Sequence, residues 1–391
     1  MKYILPLILL ILISCHTDKA KSIIETNFPT LNIIPIEPLS WKTKNTCKII
    51  YQIDSKIDTL TARIRMRGGF SKKYYKHSFR LELDSTLSLN TLPADDDWIL
   101  NANYIDKTFM RHKLSYDLFR QMSNDNIAVK SSYLNLSVNN NYEGLYILME
   151  KINAKLLNLD KKDSMAMIFK EPSIFRTKPY KNYDSINIYN QKYPKFKSKD
   201  KTEYLNQFKL FLINSSETEF IDSIEYWIDV KSIIDWHLIL LLTGNGDGIQ
   251  KNFYLYKQNS STPFKIAIWD YDFSFGREGD NELFTSTEVL NLKNSIIIRR
   301  LTDCKPINYL SLLKKRWIEL REKSIFTVSN INKHIANNTL SIKNELEKNS
   351  KRWPLDNDWY YDHNSFEQEI EIIRNYTNSK LTQIDSYFES Y

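Results

Sequence analysis

The sequence predicts an α+β fold, with a small antiparallel sheet carrying one helix in the first part and a larger, mainly helical region after it. Three observations carry the expectation. Apolar and polar residues alternate through CKIIYQI from Cys47, TARIRMRGG from Thr61 and HSFRLEL from His77, the pattern of strands with one buried face. From about Lys201 the periodicity becomes helical, and Val230–Thr243 is apolar almost all round, as a buried helix must be. With 42% apolar and 13% aromatic residues among 391, the chain can build one large or two modest cores, which excludes a disordered or fibrous protein.

At the N-terminus, Lys2 precedes an apolar run from Tyr3 to Ile13 that ends in Leu12-Ile13-Ser14-Cys15. The run reads as a secretory signal, too short to span a bilayer stably. Leu-Ile-Ser-Cys resembles a bacterial lipobox, in which Cys15 is lipidated and becomes the mature N-terminus. The expected organisation is therefore a signal peptide over 1–14, a polar tether over 15–45, a sheet-rich unit over 46–152 and a helical unit over 153–391. The protein would lie outside the cytoplasm, lipid-anchored to a bacterial membrane, in the periplasm or at the cell surface.

Within the body, Asp106 is placed to cap a helix from Lys107 to about Met122. Strands follow at Ser132–Val138 and Leu145–Glu150, joined by the turn Asn139-Asn140-Asn141. The stretch from Lys155 to Thr202 has no clear period and reads as an irregular insertion. Asp229 can cap the buried helix, two short strands are expected at Phe253–Tyr256 and Phe264–Trp269, and helices at Arg299–Leu301, Tyr309–Leu320 and Phe366–Tyr387. The net charge of +7 is spread along the chain, so no nucleic-acid partner is indicated. Three cysteines and no paired zinc-ligand spacing exclude a disulfide scaffold and a zinc site of the usual kinds.

The chain has only 8 glycines, so their positions are informative. Three fall in Gly244-Asn245-Gly246-Asp247-Gly248, directly after the buried helix. Asn252 lies five residues beyond Asp247, and the second strand of the following hairpin stops at Asp270-Tyr271-Asp272. Protein kinases place an Asp that accepts the substrate hydroxyl proton five residues before a metal-holding Asn, with a second metal-holding Asp after a hairpin. Phosphoryl transfer also needs a fixed cation near the phosphates. Arg67-Gly68-Gly69 followed by Lys72, Lys73 and Lys76 offers a glycine turn with cations. Neither Gly-x-Gly-x-x-Gly nor a Walker P-loop is present.

In combination these segments resemble the CotH-type (spore-coat protein H) atypical kinases. The resemblance lies in Arg67-Gly-Gly-Phe-Ser with Lys76-x-x-Phe79-Arg80-Leu, Asp97-Trp98-Ile-Leu, Tyr104-Ile-Asp106-Lys-x-x-x-Arg111 and Tyr142-x-Gly144-Leu-Tyr146-x-x-x-Glu150-Lys. It continues in Asn245-Gly-Asp247-x-x-x-x-Asn252-Phe-Tyr and Trp269-Asp270-Tyr-Asp272-x-Ser-Phe-Gly276. It implies a divergent, two-lobed kinase-like fold that phosphorylates Ser/Thr of proteins, using ATP with Mg²⁺ or Mn²⁺. Carried over, Asp247 is the catalytic Asp, Asp270 the principal metal ligand with Asn252 and Asp272 beside it, and Lys76 the phosphate-binding Lys. Arg67, Arg111 and Glu150 match as further cofactor-binding positions.

Three rival readings share these residues. Asp270-Tyr-Asp272 is also the Asp-x-Asp with which glycosyltransferases hold a metal and a nucleotide sugar, although that leaves Asp247 and Asn252 unexplained. Asp-x-Asp-x-Ser resembles a calcium loop, but Phe275 stands where such loops need glycine. A surface adhesin or pseudokinase could use the same scaffold without chemistry. His237 in the apolar helix and His77 beside a strand are expected to be packing or surface residues.

Overall fold

The computed structural model describes residues 28–176, 190–278, 282–284, 292–355 and 359–390. The signal sequence, Cys15 and Gly279 lie outside the described residues. The first half is a closed barrel of seven strands: β1 (Thr30–Pro35), β2 (Asn45–Ile53), β3 (Lys56–Arg67), β4 (Ser78–Leu87), β5 (Asp95–Asn101), β6 (Ser131–Val138) and β7 (Asn141–Glu150), ordered β1-β2-β3-β4-β5-β7-β6. Neighbours run antiparallel except β1 and β6, which run parallel and close the ring.

This corrects the expected fold class. The small antiparallel sheet of a two-lobed kinase-like fold is replaced by a mixed barrel, because residues 30–35, read as tether, pair with β2 on one side and β6 on the other. Closure leaves no strand edge to template aggregation. Ile33, Ile49, Ile64, Leu81, Trp98 and Leu148 fill the interior, all fully buried. The alternate residues of β5 and β7, Ile99, Ile147 and Met149, point outward into a second, larger core. Period-two side-chain alternation thus lets one strand serve two cores.

The second core joins the barrel to a four-stranded antiparallel sheet and the helices. The sheet consists of β8 (Met167–Lys170), β9 (Gln191–Tyr193), β10 (Phe253–Lys257) and β11 (Lys265–Ile268), ordered β11-β10-β8-β9. Two of these strands fall in the stretch expected to be irregular. The helices are α1 (Arg111–Met122), α2 (Thr202–Asn214), α3 (Glu217–Trp227), α4 (Val230–Thr243), α5 (Ile296–Cys304), α6 (Tyr309–Glu322), α7 (Val328–Arg352) and α8 (Phe366–Glu389).

α4 has the bounds its sequence predicts. Asp229 accepts a hydrogen bond from Ser232 N at 3.0 Å at its start, and Gly244, at φ 67°, closes its end in the left-handed conformation. α1 begins at Arg111 rather than Lys107, because the Asp106 carboxylate accepts from Thr108 N (3.1 Å) and Arg111 N (2.9 Å) and the chain turns through Phe109 at φ 56° first. Cys47 and Cys304 are both free thiols. Among the described residues no helix is long and apolar enough to cross a membrane.

Candidate active site

Asp270 ends the hairpin of β10 and β11 in the left-handed region, at φ 61°. Side chains satisfy its whole backbone. Its carbonyl accepts from Asn252 Nδ2 at 2.8 Å and Asn245 Nδ2 at 3.4 Å, and its N–H donates to Tyr116 Oη at 3.0 Å. Asn245 and Asn252 flank the 3-10 turn Gly246–Ile249, which carries Asp247, and Asn245 Oδ1 also accepts from Gly248 N at 2.9 Å. Asn252 itself sits at φ 62°, a conformation asparagine tolerates better than most residues. One peptide carbonyl therefore ties the Asp247 turn, Asn252 and Asp270 into a single unit. Asp247 is part-exposed and pairs with Lys251 at 2.9 Å.

Asp270, Asp272 and His112 each bring a ligand atom to within 4.8 Å of the others. Half of the Asp270 side chain is exposed. Burial, with the Asp270 carboxylate beside it, pushes Asp272 well above the usual carboxylate range. Two carboxylates crowded in this way are a fit for a divalent cation, which relieves the repulsion that raises the pKa. Asn252 spends its Nδ2 on the Asp270 carbonyl, which leaves Oδ1 as its remaining polar side-chain atom. The carboxylate oxygens of Asp270 and Asp272 are hard donors of the kind that suit Mg²⁺ or Mn²⁺.

The cations divide differently from expectation. Arg67, near the end of β3, lies 5.7 Å from the Trp269 ring, one residue from Asp270. Among the described residues its guanidinium has no hydrogen-bond or ion-pair partner, and its charge is felt by His112. Arg65, two residues earlier on the same strand face, buries an Nε that has no acceptor among the described residues. Lys76 is 2% exposed. Its ammonium donates to Ala102 O at 2.9 Å, to Leu145 O and to Asn349 Oδ1 at 3.3 Å, so all three protons are spent inside the fold and none is left for a phosphate.

Glu150 accepts from Lys130 N at 2.7 Å, a contact within the barrel wall. Arg111 is spent on Asp106 (2.7 Å), Glu369 (2.9 Å) and Ser274 O (3.0 Å). Arg277 joins the same buried network through Glu369 and Asp362, and Lys107 reaches Asp362 at 2.9 Å. The network fastens the segment after Asp272 to α1 and α8. Sequence reasoning missed His112, Tyr116, Lys251, Arg277 and Glu369. The spacing of His112 and Tyr116, four apart on one helix face, was the available signal for those two.

The inner spore coat protein H of Bacillus subtilis (strain 168) is 24% identical over 268 residues, 68% of this chain and 72% of that protein. Among solved structures, the Helicobacter pylori proinflammatory kinase CtkA aligns at TM-score 0.33 and 10% identity, over 79% of this chain and 95% of its own. The Golgi casein kinase solved with Mn/ADP bound aligns at TM-score 0.28 and 10% identity, over 91% and 73%. The CotH kinase protein family matches residues 64–384, from β3 through most of α8. On that match the chain belongs to the CotH kinase protein family.

Proposed function

We propose that this protein is an ATP-dependent kinase that phosphorylates Ser or Thr of proteins of the cell envelope. The observation that carries the reading is the Asp270 carbonyl, shared by Asn245 and Asn252, which joins the Asp247 turn to the two carboxylates at the end of β11. Asp270, Asp272 and Asn252 would hold Mg²⁺ or Mn²⁺, which when bound neutralises charge on the nucleotide phosphates. Arg67 would supply the protein's own cation to the phosphates, in place of Lys76.

Asp247 orients the acceptor hydroxyl and receives its proton. The new O–P bond forms as the bond between the β- and γ-phosphates breaks, and ADP leaves. The ion pair of Asp247 with Lys251 is part-exposed on both sides, so a substrate opens it at a cost of about 1 kcal/mol or less. The signal-like run ending at Cys15 supports a site of action outside the cytoplasm, anchored by lipid.

The test is transfer of labelled γ-phosphate by purified protein with Mg²⁺ or Mn²⁺, alone and with envelope extract, beside Asp247→Ala and Asp270→Ala. Label transfer by wild type alone is expected. Equal transfer by the variants, or no metal-dependent nucleotide binding by wild type, would sink the kinase reading. Binding of a UDP-sugar without ATP would favour a glycosyltransferase. Metabolic labelling with a fatty-acid probe, lost in Cys15→Ala, checks the anchor.

A further inference from the structure

α1 presents three successive grips to the segment that carries the carboxylates. Tyr116 Oη accepts from Asp270 N at 3.0 Å, His112 Nδ1 accepts from Tyr271 N at 2.9 Å, and Arg111 Nε donates to Ser274 O at 3.0 Å. All three side chains are buried. His112 and Tyr116, one helical turn apart, stack with ring centroids 5.9 Å apart, so they reach adjacent amides from one helix face. Asp270 is held in a left-handed conformation, which residues with a β-carbon disfavour and which contacts from outside the segment help to hold.

We infer that His112 and Tyr116 are positioning residues for the metal-holding carboxylates, and that His112 is not itself a metal ligand although it lies in their cluster. A neutral imidazole whose Nδ1 accepts a backbone N–H carries its proton on Nε2. That Nε2–H faces Asp270 Oδ1 at 4.0 Å, beyond hydrogen-bond reach, and has no lone pair for an ion. The ligand set that remains is all oxygen, which favours Mg²⁺ or Mn²⁺ over Zn²⁺. The inference deepens the proposed kinase reading and rests on its metal site.

The experiment uses the full chain and its Tyr116→Phe, His112→Ala and His112→Gln variants. Mn²⁺ binding is followed by electron paramagnetic resonance, and amide exchange over residues 270–274 by mass spectrometry without metal. Tyr116→Phe and His112→Ala should weaken Mn²⁺ binding about 10–100-fold and speed exchange over the segment. His112→Gln, whose amide oxygen can accept from Tyr271 N, should recover part of both. Folded variants that bind Mn²⁺ and exchange like wild type would overturn the inference, as would ¹⁴N coupling of bound Mn²⁺ that vanishes in His112→Ala. Wild type that binds no Mn²⁺ would end the kinase reading, whereas faster exchange in the variants would still support the grip of α1.

Discussion

Replacing Asp272 by Asn should make the metal-free protein more stable while removing its response to metal. The carboxylates of Asp270 and Asp272 approach within 4.8 Å. At that separation two unit charges repel by about 3.5 kcal/mol at an effective dielectric of ~20 and by about 1 kcal/mol in water. Half of Asp270 is exposed, so the working figure is about 2 kcal/mol. Asparagine keeps the oxygen that accepts from Phe273 N at 3.1 Å and removes the charge. With an unfolding entropy of about 2.1 cal/mol/K per residue over 391 residues, Tm in EDTA should rise by about 2 °C. Wild type at 100 times its Kd for Mn²⁺ should gain about 2.7 kcal/mol, and Asp272→Asn almost none. The assay is thermal unfolding with and without Mn²⁺. An Asp272→Asn protein less stable than wild type in EDTA, or equally stabilised by Mn²⁺, would refute the placement of a cation between these carboxylates.

Arg67→Ala should weaken ATP binding about 10–100-fold, the loss of a charge-assisted contact of about 1.5–3 kcal/mol, whereas Lys76→Met, where it folds, should bind ATP within a few-fold of wild type. Equilibrium binding of a fluorescent ATP analogue ranks the two, and the reverse order would restore Lys76 as the phosphate cation. Burial beside Tyr309 holds His237 down to about 3 from its ordinary 6.5. The folded state therefore favours the neutral ring, and that contribution is complete above pH 6.5 and is lost as pH falls toward 3. By pH 5 the loss is about 2 kcal/mol. Urea midpoints measured between pH 7 and pH 4 should fall less steeply for His237→Phe than for wild type, and parallel slopes would count against the assignment.

Local patterns wrote much of the second half into the sequence. α4 shows its cap, its apolar surface and its closing glycine within sixteen residues, from Asp229 to Gly244, and the loop after it follows from glycine placement. That Asn252 and Asp270 meet follows from local order too, because they stand at the two ends of the β10–β11 hairpin and its pairing brings them together. α7 escaped notice: its buried Ile331, Ile335 and Ile342 are thinly spread among Asn and Lys over 25 residues. β5 also escaped, since three aspartates open it and both its faces are buried from Trp98 to Leu100.

Residue order and type alone thus set the strand and helix periods, the chemistry available at the hairpin end and the signal-like start. Long-range packing settled the rest. β1 becomes a barrel strand only because β2 and β6 offer edges on either side, and no property of Thr30–Pro35 alone announces it. Lys76 and Arg67 are both cations near a glycine turn in the sequence. The fold encloses the ammonium of one among three oxygens and sets the guanidinium of the other beside Trp269 with no hydrogen-bond or ion-pair partner among the described residues. A side chain's role follows from which partners reach it, and those partners come from segments as much as 273 residues away.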